Sequence, residues 1–313
     1  MKPVFFTIPW LDLPVYGYGV MLGMAFLVGW YLVAYLAKWS GLKEEVLYVA
    51  MTLAIISSLV GARLFHVFSN PHEHWTLLRI LNIREGGLVA YGGYIFGVVA
   101  GVWYFKKKKV NIWAYVDVTI PGLALGLFWA RMGCFMRGCC YGHRTDSFIG
   151  ISFPEASLVV EQHTHRGWPL LENGWSTPVI PTQLIASFTG FVLFLITLAL
   201  VAKKRKERLE NEQAKKEGKE LKPLRILDGH IFLLFVGCYS IFRFFIEFIR
   251  DDGGRGTVGL LSTSQFIAIL LVAFVSWMAF YWVPKHPYQE HVSSYRAAQR
   301  RKQKKNKAKN KKK

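Results

Sequence analysis

Residues 130–144 read ARMGCFMRGCCYGHR and hold the densest set of side chains suited to chemistry in this chain. Arg131 and Arg137 carry guanidinium groups, whose planar fork of donors matches two oxygens of a phosphate at once. Three glycines, the last of them Gly142, permit tight turns and let a ligand approach the main chain closely. The segment therefore predicts an anion cradle, and a phospholipid headgroup is the anion we expect there.

The same segment holds three of the four cysteines, Cys134, Cys139 and Cys140. They could bind a metal ion, or Cys134 could form a disulfide with one of the vicinal pair. The spacing is not that of a zinc ribbon, and a vicinal pair rarely bridges internally. We therefore expect no metal and no cofactor, and the redox state of the three thiols stays open.

Further arginines occur at or near the ends of apolar stretches. In FRFFIEFIR, Arg243 and Glu247 are four residues apart and share a helical face, where an ion pair could offset burial. Arg63 and Arg250 also lie at or near the ends of apolar stretches. A charged group inside a membrane span costs about 2.5–3.5 kcal/mol, which makes these residues functional candidates. The alternative is a structural ion pair with arginines that extend to the headgroup level.

A glycine-rich segment, residues 84–97, places paired glycines on either side of Tyr91. One interpretation is a close helix-packing face, for which small residues are common in membranes. The other is that Tyr91 lines a cavity, although a phenol with a pKa of about 10 is a weak base unless it is perturbed. His66 is a second candidate for deprotonating a substrate, and the sequence does not decide between the two.

These residues must be positioned by membrane-spanning helices. The chain has 313 residues, is 52% hydrophobic and carries a net charge of +19, with its basic residues in short runs between apolar blocks. A span needs about 20 apolar residues. This pattern indicates membrane topology rather than nucleic-acid binding. Seven stretches qualify: 17–38, 46–68, 87–105, 112–130, 182–202, 229–249 and 261–283.

Lysine and arginine predict the orientation. Most of them lie in segments that alternate onto one side, which the positive-inside rule makes cytoplasmic. The N-terminus is then outside and the C-terminus inside, and no removable signal peptide is expected. The basic segments are 38–45, 106–109, 203–228 and 284–313, and the segments facing the exterior are 69–86, 131–181 and 250–260.

The predicted fold is an all-α polytopic membrane protein with one seven-span catalytic domain, residues 1–283. Residues 143–181 form a small exterior insertion whose prolines argue against a long helix. Residues 203–228 are a charged cytoplasmic loop, and residues 284–313 are a basic tail. Both have the composition of solvated or disordered segments.

Taken together, these segments resemble prolipoprotein diacylglyceryl transferases from Tyr16 to Trp282. YGYGVMLG places Tyr18 on the family's tyrosine, and GARLFHV places Arg63 on its arginine. ARMGCFMRGCCYG aligns with R-x-G-N-F-x-N-x-E-x-x-G, with Arg131 and Gly142 on its first and last residues. The glycine-rich REGGLVAYGG, PTQL and LSTSQ are similar to three further family segments in the same order.

The resemblance extends to CYSIFRFFIEFIR, which puts Tyr239, Arg243 and Glu247 on the positions Y-x-x-F-R-x-x-x-E. The sequence departs from the family at polar positions. Tyr91 and Ile180 replace histidines, Cys134 and Arg137 replace asparagines, and Cys139 replaces a glutamate. The phosphate-binding residues are therefore matched better than those for proton transfer.

The resemblance implies transfer of diacylglycerol from phosphatidylglycerol to the lipobox cysteine thiol of a preprolipoprotein. It implies a bacterial inner-membrane location, with the site toward the outer leaflet. Alternatives are a divergent relative with another acceptor and a non-catalytic lipid-binding or transport protein, for which an inverted repeat is lacking. The implied catalytic residues are Arg131, Arg243 and Tyr91. The implied lipid-binding residues are Arg131, Arg243, Tyr18, Arg63, Gly142, Tyr239 and Glu247, with Cys134, Arg137, Cys139 and His66 as further candidates.

Overall fold

A computed structural model describes residues 4–8, 10, 13–72, 76, 79–80, 82, 87, 89–222, 224–251 and 256–282. In this part of the chain the structure has eight helices of eight residues or more. They are α1 (Gly17–Trp39), α2 (Glu44–Ser69), α3 (Ala90–Lys107), α4 (Ile112–Arg137), α5 (Leu158–His165), α6 (Thr182–Lys216), α7 (His230–Ile246) and α8 (Thr263–Trp277), which continues as a π-helical turn, Met278–Trp282.

Two small antiparallel hairpins accompany the helices. The strands β1 (Val4–Ile8) and β2 (Leu13–Tyr16) pair ahead of α1, and β3 (Thr257–Val258) pairs with β4 (Leu261–Ser262) ahead of α8. The last strand ends in a capping box, in which the Ser262 hydroxyl accepts from the Gln265 amide and the Gln265 side chain binds the Ser262 amide. The fold is therefore helical, as the sequence predicts, with strands only at helix entrances in the described residues.

Five of the described helices are long and apolar enough to cross a membrane: α1, α2, α4, α6, and α8 with its extension to Tyr281. The prediction of a helical chain with several spanning segments is thus confirmed. The helices α3 and α7 coincide with the other two predicted spans. The count of seven crossings and the orientation of the two ends stay predictions.

The helix α4 runs through the centre and packs on α1 and α6. Its start is fixed by Asn111, whose side-chain oxygen accepts from the amides of Trp113 (3.1 Å) and Ala114 (3.4 Å). Its end is fixed by Gly138, which has a φ of 75°. Because this left-handed conformation suits glycine, Gly138 stops the helix and turns the chain back toward it.

Glycines allow α2 and α3 to pack closely. An ideal Cβ built at Gly92 would lie 2.3 Å from the Gly61 carbonyl oxygen, and one built at Gly97 would lie 2.3 Å from the Ser58 hydroxyl. No real side chain fits at these distances. The interpretation of the glycine-rich segment as a close helix-packing face is confirmed for these positions.

Gly92→Ala is expected to destabilise the protein by about 1–3 kcal/mol, because the added methyl group must push the two helix backbones apart. Gly101→Ala is the matched control, since it lies on the same helix and a Cβ there would meet nothing within 4 Å. Unfolding midpoints in detergent should fall for the first variant only. Equal midpoints for both would contradict the packing argument.

The insertion of residues 143–181 contains one short helix, α5, and is otherwise irregular, so the prediction that it lacks a long helix is confirmed. The insertion is held by its own small core, in which Tyr141, Phe153, Val159 and Val179 are fully buried. Bridges such as Arg144 with Val179 and Ile151 with Val179 close it against the start of α6.

The prediction that residues 203–228 form a solvated loop was wrong for residues 203–216, because α6 continues to Lys216. Two of its basic residues, Lys204 and Arg208, are paired with carboxylates of the protein. Lys204, only 5% exposed, binds Asp117 (2.5 Å) and Asp228 (2.7 Å). The composition of this segment suggests charges in contact with solvent, but tertiary contacts bury some of them. The predicted basic tail, residues 284–313, lies outside the described residues.

Candidate functional site

The loop that follows α4 folds back over the last turn of that helix. The amides of Gly138 and Cys139 both donate to the Cys134 carbonyl oxygen, at 3.0 and 3.1 Å. Cys140 has a φ of 63°, a left-handed conformation that is uncommon for a residue with a Cβ. The turn brings the vicinal cysteines beside Cys134 and directs the chain toward α6.

A small cavity lies where α4 and α7 meet the start of α6. Arg131 reaches it from α4 and Arg243 from α7, so the two arginines expected to act together line one space. Three positively charged side chains around one cavity suit an anionic ligand. The lining residues are Arg131, Cys140, Thr182, Ala186, Tyr239, Phe242, Arg243, Ile246 and Arg250.

Arg131 is half-buried near the end of α4 and lines the cavity together with Tyr239. The Tyr239 ring is held in turn by stacking on Phe235, with ring centroids 6.0 Å apart and an interplanar angle of 3°. The Tyr239 ring is therefore held by its own helix at the wall of the cavity that Arg131 lines.

Arg243 is fixed by two partners. Its Nη1 pairs with the Glu247 carboxylate one helical turn away, and its Nη2 donates to the Ser264 hydroxyl at 2.8 Å. The Glu247 side chain is 3% exposed. The predicted shared face and ion pair of Arg243 and Glu247 are therefore confirmed, and the pair joins α7 to the start of α8.

Arg63 has different surroundings. Its guanidinium donates to the main-chain carbonyls of Ile80 (2.9 Å), Gly87 (3.1 Å) and Arg79 (2.6 Å), and it is 6% exposed. It is not among the residues that line the cavity. Arg63 thus ties the connection between α2 and α3 to the end of α2, and its expected part in lipid binding stays a prediction.

His66 lies one turn after Arg63 on α2. The Asn70 side-chain nitrogen lies 3.2 Å from His66 Nδ1, and a Cβ at Gly87 would lie 2.2 Å from His66 Nε2. The Gly87 φ of 72° makes glycine favourable there for a second reason. The imidazole therefore packs on bare main chain in the connection to α3.

Neither Tyr91 nor Tyr18 is among the residues that line the cavity. Tyr91 is 45% exposed at the start of α3. Tyr18 packs on Gly133, whose ideal Cβ would lie 3.1 Å from the Tyr18 ring, and the exposed Arg137 lies over that ring at 5.9 Å. Tyr18 thus stands beside the cysteine cluster, between α1 and α4.

Gly142 is needed for packing. A Cβ there would lie 2.8 Å from the Ile249 carbonyl oxygen and 2.9 Å from the Thr182 methyl group. The Gly142 amide donates to the Ile180 carbonyl at 2.9 Å, and the residue forms a bridge with Arg250. The expected close approach to the main chain at Gly142 is therefore made by the protein's own backbone.

Two polar residues at the start of α6 were not selected from the sequence. Thr182 Oγ1 donates to the Cys140 carbonyl, and Gln183 Nε2 donates to the Cys139 carbonyl at 2.8 Å. Gln183 is 1% exposed, and among the described residues its Oε1 has no hydrogen-bond partner. The signal was available, since both residues belong to the PTQL segment noted for its resemblance.

A helical chain with several long apolar helices is a multi-pass membrane protein, and in this one arginines from two helices line one cavity. Residues 3–281 match the family described as Prolipoprotein diacylglyceryl transferase. The chain belongs to this family, and the expected resemblance is confirmed.

Individual relatives agree with that assignment. The chain is 33% identical over 264 residues to phosphatidylglycerol–prolipoprotein diacylglyceryl transferase 2 of Clostridium perfringens, covering 83% of this chain and 88% of the relative. It is 29% identical over 275 residues to the enzyme of that name from Clostridium tetani, covering 87% and 94%. The chain is 36% identical over 152 residues to the Rhodopirellula baltica enzyme of that name, covering 46% of this chain and 31% of the relative.

Proposed function

We propose that this chain transfers the diacylglyceryl group of phosphatidylglycerol to the lipobox cysteine thiol of preprolipoproteins, the first step of bacterial lipoprotein maturation. The observation that supports it most directly is the cavity shared by Arg131, Arg243 and Arg250 in a chain of this family. A phosphate diester is the anion that such a set of guanidinium groups binds best.

The reaction breaks the bond between the glycerol carbon and the phosphate oxygen. Negative charge grows on that oxygen as glycerol phosphate leaves, and fixed positive charge in a water-poor site stabilises it strongly. Arg243 is held by Glu247 and Ser264, and Arg131 lines the same cavity, so both guanidinium groups adjoin this site before charge develops. We infer that both act as catalytic residues.

The nucleophile belongs to the substrate peptide. The enzyme must hold the peptide thiol in line with the glycerol carbon and remove its proton, because the thiolate is the reactive form. Tyr91 and His66 are the two candidate acceptors of that proton. Comparing Tyr91→Phe with His66→Gln in the transfer assay distinguishes them.

We further infer a bacterial inner-membrane location, with seven spans, an exterior N-terminus and the site toward the outer leaflet. Asp117 and Arg131 are 14 positions apart on α4, or about 21 Å at 1.5 Å per residue. The arginine-lined cavity is thus far along α4 from the basic extension of α6. The positive-inside rule favours a cytoplasmic position for the latter.

The direct test is to incubate the purified full chain with phosphatidylglycerol and a lipobox peptide. The expected result is a peptide mass gain equal to one diacylglycerol, with release of glycerol phosphate. A peptide in which serine replaces the lipobox cysteine is the control and should gain no mass. Lipid consumption without gain on the cysteine peptide would instead support another acceptor, and flux of labelled lipid without conversion would support transport.

A further inference from the structure

The thiols of Cys134, Cys139 and Cys140 form a three-sulfur cluster at the end of α4. Their Sγ atoms all lie within 4.8 Å of one another. Three thiolate sulfurs held at about 2.3 Å from one metal ion in a trigonal plane are roughly 4 Å apart. The thiols therefore need to converge by less than about 1 Å to become ligands of a single ion.

The main chain holds the cysteines in this arrangement. The Cys139 amide donates to the Cys134 carbonyl, and Cys139 Sγ lies 3.7 Å from the same oxygen. Cys140 keeps a left-handed φ of 63°. Such a conformation costs roughly 1–2 kcal/mol for a residue with a Cβ and persists where its surroundings demand it. The strain lies on the residue that completes the cluster.

Side chains from α6 support the cluster from outside. Gln183 binds the Cys139 carbonyl and Thr182 binds the Cys140 carbonyl, and both side chains are buried. Metal ligands are commonly fixed by such outer partners. The two vicinal cysteines are therefore anchored by a second helix while Cys134 is anchored by α4.

Ligand type and charge select the kind of ion. Sulfur-only ligands favour soft ions such as Cu(I) over Mg²⁺ or Ca²⁺. Three thiolates carry three negative charges. Three arginines line the cavity with Cys140, but the charge of Arg243 is matched by Glu247, so Arg131 and Arg250 contribute two positive charges. Arg137 is exposed, so water screens its charge. An ion of single positive charge completes the balance.

We propose that Cys134, Cys139 and Cys140 bind one soft monovalent metal ion, such as Cu(I). Binding forms three metal–sulfur bonds and releases the three thiol protons to solvent. No electron is transferred. The metal site adjoins the proposed lipid site, because Cys140 also lines the arginine cavity, but metal binding requires neither phosphatidylglycerol nor peptide.

The test titrates Cu(I) anaerobically into the reduced full chain in detergent, against a chromophoric Cu(I) chelator and without lipid or peptide. One Cu(I) per chain is expected for wild type and for Cys238→Ser, the matched control, since Cys238 is exposed and outside the cluster. Replacing any one of the three cluster cysteines by serine should lower the affinity for Cu(I) by at least about 100-fold. Loss of a residue that only supports a metal ligand costs up to about 100-fold, and loss of a ligand should cost no less.

X-ray absorption of the wild-type complex gives a second measurement that does not depend on how the variants fold. A first shell of sulfur alone is expected. Oxygen or nitrogen ligands, unchanged affinity in Cys140→Ser, or a disulfide within the cluster in protein taken from its own membranes would each overturn the proposal. Because lipid transfer is assayed separately, failure here leaves the transferase proposal standing.

Discussion

Replacing Arg131 by alanine is expected to lower the turnover number for diacylglyceryl transfer by about 100- to 1,000-fold, the usual effect of removing one fixed donor to a developing oxyanion. Arg131 lines the same cavity as Arg243 and Arg250, where its guanidinium can reach an anion bound between them. The measurement is the rate of mass gain on a lipobox peptide at saturating phosphatidylglycerol. Unchanged turnover would remove Arg131 from the chemistry.

The kinetic constants separate the two roles that Arg131 has in the proposal. If it stabilises the leaving phosphate, kcat falls, whereas an arginine that only binds the ground state raises KM and leaves kcat unchanged. Arg131→Lys keeps the charge but loses the two-pronged geometry, so it should recover only part of the activity. Arg144→Ala is the matched control, because Arg144 is exposed, stacks 4.3 Å from the Trp168 ring and does not line the cavity.

The residues that share one face of a helix were predictable, because this depends only on their spacing in the sequence. Arg243 and Glu247, four residues apart, lie on one face of α7 in any regular helix, and the ion pair follows from that spacing. Gly87, Gly92 and Gly93, near Tyr91, likewise pack on α2, as small residues in membrane helices tend to do. The meeting of Arg131 and Arg243 was expected from membrane topology and the family resemblance together.

The partners of Arg63 were not predictable from local pattern. The sequence places this arginine near the end of a span, as it does Arg131, and suggests the same role for both. The structure gives Arg63 three carbonyl partners in the connection to α3, between 16 and 24 residues away. Irregular connections have no periodic signal, so the partners of such a residue depend on tertiary structure.

The buried charge network of α6 was missed for a related reason. Lys204 lies 87 residues from Asp117 in sequence, and the run around it has the composition of a solvated segment. In the fold, Asp117 also accepts hydrogen bonds from the amides of Gly229 (2.9 Å) and Phe232 (3.0 Å) at the start of α7. One carboxylate from α4 thus caps a second helix and pairs with a third.

Lys204→Met is expected to destabilise the protein by about 3 kcal/mol, the lower end of the cost of breaking a buried ion pair. The substitution keeps the volume of the side chain but leaves Asp117, which is fully buried, without its countercharge. Asp228 keeps Arg208 as a partner, so the loss falls mainly on Asp117. The measurement is the free energy of unfolding in mixed detergent micelles near neutral pH.

Lys203→Met is the control, because Lys203 is adjacent on α6 but exposed. Adding Asp117→Asn to Lys204→Met should recover part of the loss, since the buried charge is removed while one acceptor oxygen remains for one of the two α7 amides. Burial alone would raise the pKa of Asp228, but Lys204 and Arg208 outweigh it and hold that pKa below its ordinary 3.8. The stability contributed by ionised Asp228 is present above pH 3.8 and is lost as the pH falls through its lowered pKa. Because Lys204→Met removes one cause of that lowering, it should also weaken the dependence of the unfolding free energy on acid pH. Equal stability of Lys204→Met and Lys203→Met would mean that the network does not hold α4, α6 and α7 together.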